Sequence, residues 1–197
     1  GVRVINVLEQ WGSEFSQAQV EQLVDGVWRV RLADKIYILK RRSTRTRVLD
    51  EYDLLKWLNE GGQPISLLLY TSAGVPWAEF DGAFYVLYPY VSGVSMDRLD
   101  MLAEPYAYQA GATLARLHAK LADYKASEAF PGFDLFHEVA KYAWPEVQSY
   151  SSQFRDRLYH LERAISRQLV NPYEALPRQL IHRDFHPGNL IFVQDQL

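Results

Sequence analysis

The chain has 197 residues, a formal net charge of −3, 48% hydrophobic residues and 23% charged residues. That balance suits a packed globule of one large domain or two small lobes, and it gives no sign of a nucleic-acid or anionic-membrane partner. The chain has no cysteine, which excludes disulfide frameworks, thiolate metal sites and Cys nucleophiles. No apolar run approaches the roughly 20 residues of a membrane span. Gly1-Val2-Arg3-Val4 has no long apolar stretch of the kind a secretory signal carries. The expected location is the cytoplasm.

The first part of the chain reads as strand-rich. Residues 20–24 and 27–32 alternate around Asp25-Gly26, a strong hairpin signal because glycine accepts the positive φ of a tight turn. A second turn at 33–35 leads to a strand over 36–40, where Ile36, Ile38 and Lys40 share one face. Val48, Tyr52 and Leu55 recur at helical spacing within 46–59, and Gly61-Gly62 ends that helix. Two further strands are predicted at 65–70 and 84–90, with Asp81-Gly82 turning into the second. Lys56 and Glu60 form an i,i+4 pair on a solvated helix face.

After Ser92-Gly93 the pattern becomes helical, over about 104–119, 135–149 and 152–169. Leu114, Leu117, His118 and Leu121 mark the buried stripe of the first of these. Pro172 and Pro177 are expected to break the helices, and short strands at 179–182 and 190–193 bracket a loop. The plan is α+β and two-lobed: residues 1–88, a linker at 89–93, and a helical lobe from 94 to 197.

Chemistry concentrates in that loop, residues 182–189: His182-Arg183-Asp184-Phe185-His186-Pro187-Gly188-Asn189. Pro187-Gly188 forces a turn that brings Asp184 and Asn189 towards one point. A carboxylate can orient or accept the proton of a hydroxyl, and an amide oxygen can ligate a hard cation such as Mg²⁺. Phosphoryl transfer needs such a pair. On a strand His182, Asp184 and His186 would share a face and could form a metal site, but the Pro-Gly turn argues for a loop. His182 is expected to be buried and bonded to backbone. Trp77, Tyr142 and Trp144 read as packing residues rather than as a cage for a cationic ligand. The arginines within 40–47 read as a surface turn rather than a nucleic-acid patch.

The loop resembles the H-x-D-x-x-x-x-N catalytic loop of the protein-kinase-like fold. Its His186-Pro187-Gly188-Asn189 is similar to the aminoglycoside phosphotransferase and choline-kinase branch. Arg183 departs from it, since glycine is commoner there. The resemblance runs over about residues 20–197. It implies that Lys40 is the phosphate-binding lysine and Glu51 its helix partner. It further implies that Pro89 C=O and Val91 N–H read the adenine edge, and that the turn at Gly26 cradles phosphates with backbone amides. Looser patterns between 38 and 96 resemble spore-coat-associated kinase-like proteins.

The implied activity is transfer of the γ-phosphoryl of ATP (or GTP), with Mg²⁺ held at Asn189, to a hydroxyl of a small-molecule acceptor, with Asp184 and Asn189 as the catalytic pair. No nucleic-acid or membrane partner is implied. Two family features are missing: a G-x-G-x-x-G nucleotide loop, and a metal-binding Asp on a strand after Val193, where Asp195 reads as a turn residue. This stretch alone is therefore expected to be a weak or inactive enzyme. The other reading is a non-catalytic, pseudokinase-like binding or scaffold module.

Overall fold

The computed structural model describes residues 2–96, 103–130, 132, 134–149, 155–182 and 184–197. The chain divides into two compact units, Gly1–Tyr124 with Ile181–Leu197, and Lys125–Leu180.

The first unit opens with helix α1 (Val2–Leu8) and two 3₁₀ turns, Glu9–Trp11 and Ser13–Gln17. The strand-rich reading of this part missed them. Val7, Leu8, Trp11 and Phe15 are buried against Val30, Leu39, Ala78 and Leu87. Each such apolar side chain contributes roughly 1.5–3 kcal/mol on full burial. Trp11 also donates its indole N–H to the Leu69 carbonyl at 2.9 Å. This helical cap therefore seals one face of the sheet.

That sheet is antiparallel, ordered β1-β2-β3-β5-β4. Its strands are β1 (Gln19–Val24), β2 (Val27–Leu32), β3 (Lys35–Arg42), β4 (Ala78–Phe80) and β5 (Ala83–Pro89). Gly26 at the β1–β2 turn has φ 74°, as the Asp-Gly signal requires. β3 runs two residues further than its sequence pattern predicts, so Arg42 joins Lys40 and Ile38 on one face. The predicted strand at 65–70 forms no ladder. It is an extended segment holding Leu87 through one bond, Leu69 N–H to Leu87 O at 2.8 Å. The edge position went instead to β4, which the Asp81-Gly82 turn folds onto β5.

Helix α2 (Arg45–Glu60) starts at Thr44, whose hydroxyl accepts from Arg47 N–H at 3.2 Å. Its Val48, Tyr52 and Leu55 pack with Leu68, Val86, Phe84 and Tyr88 on the face opposite α1. Lys56 and Glu60 stand 4.0 Å apart on the exposed side, as their spacing predicts.

Helix α3 (Tyr106–Ala122) buries Ala110, Thr113, Leu117 and Leu121. At the chain's far end the predicted strand at 179–182 forms no bridge, and the one at 190–193 shrinks to single bridges, Val94 with Phe192 and Val193 with Gln196. A strand needs a partner edge, and here only a few linker residues offer one. Phe192 and Leu190 are instead buried against Ala110 of α3.

The second unit is helical. Helices α4 (Leu135–Glu138) and α5 (Trp144–Ser149) are joined through a π turn at Val139–Ala143. The Asp134 carboxylate caps α4 by accepting from the Phe136 and His137 N–H groups. Helix α6 (Arg155–Ile165) passes through a second π turn (Ser166–Val170) into α7 (Asn171–Glu174). Pro172 therefore does not break the helix. The proline lies at the start of α7, where its missing N–H costs little, and the wider π turn absorbs the register. The first residues of the predicted helix 152–169 lie outside the described residues. Among the described residues no helix is long and apolar enough to cross a membrane.

Candidate active site

Three pieces of the first unit carry the residues singled out by sequence: the β1–β2 turn with β3 and α2, the linker after β5, and the loop at 182–189.

In the loop the expectation of one meeting point holds. Asn189 donates its amide N–H groups to Asp184 at both the backbone carbonyl (2.9 Å) and the carboxylate Oδ2 (2.8 Å). Pro187–Asn189 forms one 3₁₀ turn, and its cap is His186, whose Nδ1 accepts from Gly188 N–H at 3.1 Å. With Nδ1 accepting, the neutral ring carries its proton on Nε2, which lies 3.4 Å from Asp184 Oδ1. Asn189 Nδ2 is also 3.1 Å from that Nε2. His186 thus fixes the loop from inside, a role its sequence signature alone did not reveal.

The Asp184 side chain is 75% exposed, so its carboxylate is open to an incoming group. His182 is bonded to backbone as expected, but its burial is not as expected. It is exposed rather than buried, stacks edge-on against Phe185, and accepts the Asp184 N–H on Nδ1 at 3.2 Å. Among the described residues no three His, Cys, Asp or Glu converge as a metal cluster. His182, Asp184 and His186 therefore do not form the alternating site a strand would have made.

The linker is stitched to this loop. Val94 and Phe192 exchange two backbone bonds of 2.9 Å, and the Ser95 hydroxyl donates to the Pro187 carbonyl at 3.0 Å. A Cβ on Gly93 would lie 2.5 Å from the Phe192 carbonyl oxygen, so only glycine fits there. Pro89 ends β5 opposite Tyr37. The next N–H, of Tyr90, is spent on the Ile36 carbonyl at 3.0 Å. Val91 then lines a cavity of about 670 Å³ together with Thr113, Leu117, Asn189 and Leu190. That size suits a small ligand.

On the sheet, Lys40 and Arg42 project from the same face of β3 towards α2. Glu51 is the helix carboxylate that meets them, but it takes Arg42 rather than Lys40. Arg42 Nε and Nη2 reach Glu51 Oε2 and Oε1 at 2.7 and 2.8 Å, and the Tyr88 hydroxyl also donates to Oε1. Lys40 Nζ lies over the Tyr88 ring, 5.2 Å from its centroid.

The electrostatics follow. Burial and the neighbouring Arg42 charge push the Lys40 ammonium down, and Glu51 only partly opposes them. Burial pushes the Glu51 carboxyl up, yet the bonds from Arg42 and Tyr88 outweigh it and hold the group below its ordinary value. Burial and the Glu51 charge raise the Tyr88 phenol. Arg42 was read from sequence as a surface arginine. Its period-2 offset from Lys40 was the signal that could have placed it here.

Gly26, in the β1–β2 turn, stands beside Arg41. Its carbonyl accepts from Arg41 N–H at 2.8 Å, and the Arg41 guanidinium pairs with Asp25 at 2.8 Å across the turn.

A family model described as the phosphotransferase enzyme family matches residues 16–197. The chain belongs to that family.

Among curated proteins none matches. Solved structures share the kinase-like fold. A microcompartment-associated aminopropanol kinase aligns with TM-score 0.69 at 17% identity, over 95% of this chain and 63% of its own. An amicoumacin kinase in complex with AMP-PNP, Ca²⁺ and Ami aligns with TM-score 0.62 at 18% identity, over 92% and 57%. An aminoglycoside phosphotransferase from Alicyclobacillus acidocaldarius subsp. acidocaldarius aligns with TM-score 0.57 at 16% identity, over 73% and 41%. The chain thus spans about half of the length of these family structures.

Proposed function

We propose that this member of the phosphotransferase family transfers the γ-phosphoryl of ATP or GTP to a hydroxyl of a small molecule. The observation that carries the reading is the clamp of Asn189 on Asp184 in an exposed loop, tied by backbone bonds to the linker after β5.

Asp184 is the residue that meets the acceptor. Its carboxylate orients the hydroxyl and takes its proton as the new oxygen–phosphorus bond forms and the bond to the β-phosphate breaks. His186 and Asn189 hold that carboxylate in one orientation. Lys40 neutralises phosphate charge. Pro89 C=O and Val91 N–H accept and donate at the base edge, and the Gly26 turn cradles phosphates with backbone amides.

The donor set suits a hard cation. Asn189 spends its amide nitrogen on Asp184, and no hydrogen bond of its Oδ1 occurs among the described residues. Asn189, with Asp184 beside it, would hold Mg²⁺, which commonly takes one or two protein oxygens and completes its shell with phosphate and water. When bound, Mg²⁺ supplies charge neutralisation on the phosphate oxygens.

The nucleotide and metal bound in the amicoumacin kinase support this reading by analogy of family and fold.

The test measures Mg²⁺-ATP binding by calorimetry and phosphate release or transfer, on the protein and on Asp184→Asn. The expected result is retained binding with turnover reduced by roughly 10²–10⁴. Equal turnover in the variant would remove Asp184 from the chemistry. Absence of nucleotide binding at millimolar concentration would favour a non-catalytic binding module.

A further inference from the structure

Lys40 and Arg42 present two cations on one face of β3, and α2 offers them one carboxylate. Arg42 takes it fully. Its Nε and Nη2 occupy the two Glu51 oxygens, and its Nη1 donates to the Arg41 carbonyl at 3.3 Å. The Tyr88 hydroxyl fills a further position on Glu51 Oε1. A bidentate guanidinium fork is stronger and more directional than a lysine ammonium at the same carboxylate. The pair is also shielded, with side-chain exposures of 26% for Arg42 and 22% for Glu51, so it is not an ordinary surface bridge.

Lys40 is left in a different condition. Among the described residues no carboxylate lies within ion-pair distance of its Nζ, and its contact is the face of the Tyr88 ring. Tyr88 therefore touches both halves of the cluster, its hydroxyl fixed by Glu51 and its ring under the ammonium. An ammonium on an aromatic face, with a guanidinium close by, still lacks an anion.

We propose that Arg42 is a positioning residue of the phosphate site: by occupying Glu51 it reserves the Lys40 ammonium, seated on Tyr88, for an anionic phosphate. Glu51 thus acts on Lys40 indirectly, through Arg42 and Tyr88. Three of the five N–H donors of Arg42 are spent on Glu51 and the Arg41 carbonyl. The inference rests on the nucleotide-site reading and deepens it.

The test is calorimetric binding of Mg²⁺-ADP to the protein, Lys40→Met, Arg42→Gln, and the double variant Arg42→Gln with Glu51→Gln. Thermal unfolding is followed in parallel. In Arg42→Gln the freed carboxylate turns to Lys40 and competes with phosphate, and affinity falls by about tenfold. Removing that carboxylate in the double variant restores affinity to within about threefold of the parent. A residue that merely braced α2 would give a double variant as weak as Arg42→Gln or weaker, and that result overturns the inference. So does an Arg42→Gln variant that binds like the parent.

Where Arg42→Gln does not fold, Arg42→Lys replaces it. Its single-point contact leaves one carboxylate oxygen open, and it must bind more weakly than the parent for the inference to stand. If the parent fails to bind Mg²⁺-ADP, or Lys40→Met binds equally well, the nucleotide-site reading falls and takes the phosphate role of Lys40 with it. The hold of Arg42 on Glu51 is read separately, from the NMR titration of Lys40 after ¹³C-methylation. Its midpoint rises in Arg42→Gln, because a like charge leaves and a carboxylate arrives, and an unchanged midpoint refutes that hold.

Discussion

Replacing Gly93 by alanine tests whether the linker and the loop at 182–189 are held as one piece. A methyl group there would lie 2.5 Å from the Phe192 carbonyl oxygen, 2.6 Å from Ile191 Cγ2 and 3.1 Å from Val193 Cγ2. Backbone oxygen cannot yield by a rotamer change, so the 191–193 segment must move away. That movement breaks the two 2.9 Å bonds between Val94 and Phe192. Each such bond contributes about 1 kcal/mol net, and loosening the buried Phe192 adds a comparable amount, for a loss of about 2–3 kcal/mol. For a chain of this size that corresponds to a fall in Tm of roughly 5–10 °C. The assay is thermal unfolding of Gly93→Ala beside the parent, with Mg²⁺-ATP turnover measured well below the transition. Turnover should fall more than nucleotide binding, because Asp184 and Asn189 sit on the displaced arm. A variant that melts within about 1 °C of the parent would show that the 93–192 contact bears no load, and the reasoning would fail.

Three further outcomes follow from the same structure. The Glu51 carboxyl is held below its ordinary value of 4.5, so its contribution to stability is present above about that pH and is lost as pH falls through the depressed value. Unfolding of Glu51→Gln should therefore differ from the parent at neutral pH, with the difference shrinking in acid below pH 4.5; a constant difference would exclude the linkage. Trp11→Ala removes a buried ring and its bond to the Leu69 carbonyl, and should cost about 3–5 kcal/mol by denaturant unfolding. A cost below about 1 kcal/mol would mean that the N-terminal helix does not seal the sheet. Arg41→Ala breaks only an exposed pair with Asp25 and should shift stability by less than about 1 kcal/mol, whereas Arg42→Ala should exceed it severalfold.

Much of this molecule was legible in the residues themselves. Asp25-Gly26 fixed a hairpin because a positive φ at that point admits little but glycine. The spacing of Val48, Tyr52 and Leu55 fixed α2, and Pro187-Gly188 fixed the turn that joins Asp184 to Asn189. These are local effects, in which a few adjacent residues decide their own backbone. What failed was non-local. Residues 65–70 had strand character, but the sheet edge on β5 was taken by β4, which a two-residue turn delivers at lower entropic cost. Residues 2–17 carried no strong helix signal, and their helical turns follow from Val7, Leu8, Trp11 and Phe15 finding the bare face of the sheet. Pro172 looked like a helix breaker until a π turn ahead of it supplied the room.

The site divides along the same line. Sequence alone identified Lys40, Glu51, Asp184 and Asn189 as residues of interest, and it set the geometry within the loop, where only four intervening residues leave little freedom. Which cation meets Glu51 was decided only in three dimensions. β3 extends far enough to put Arg42 on the same face as Lys40, and α2 brings one carboxylate to both. A guanidinium can grip both of its oxygens at once, while the ammonium settles on the face of Tyr88.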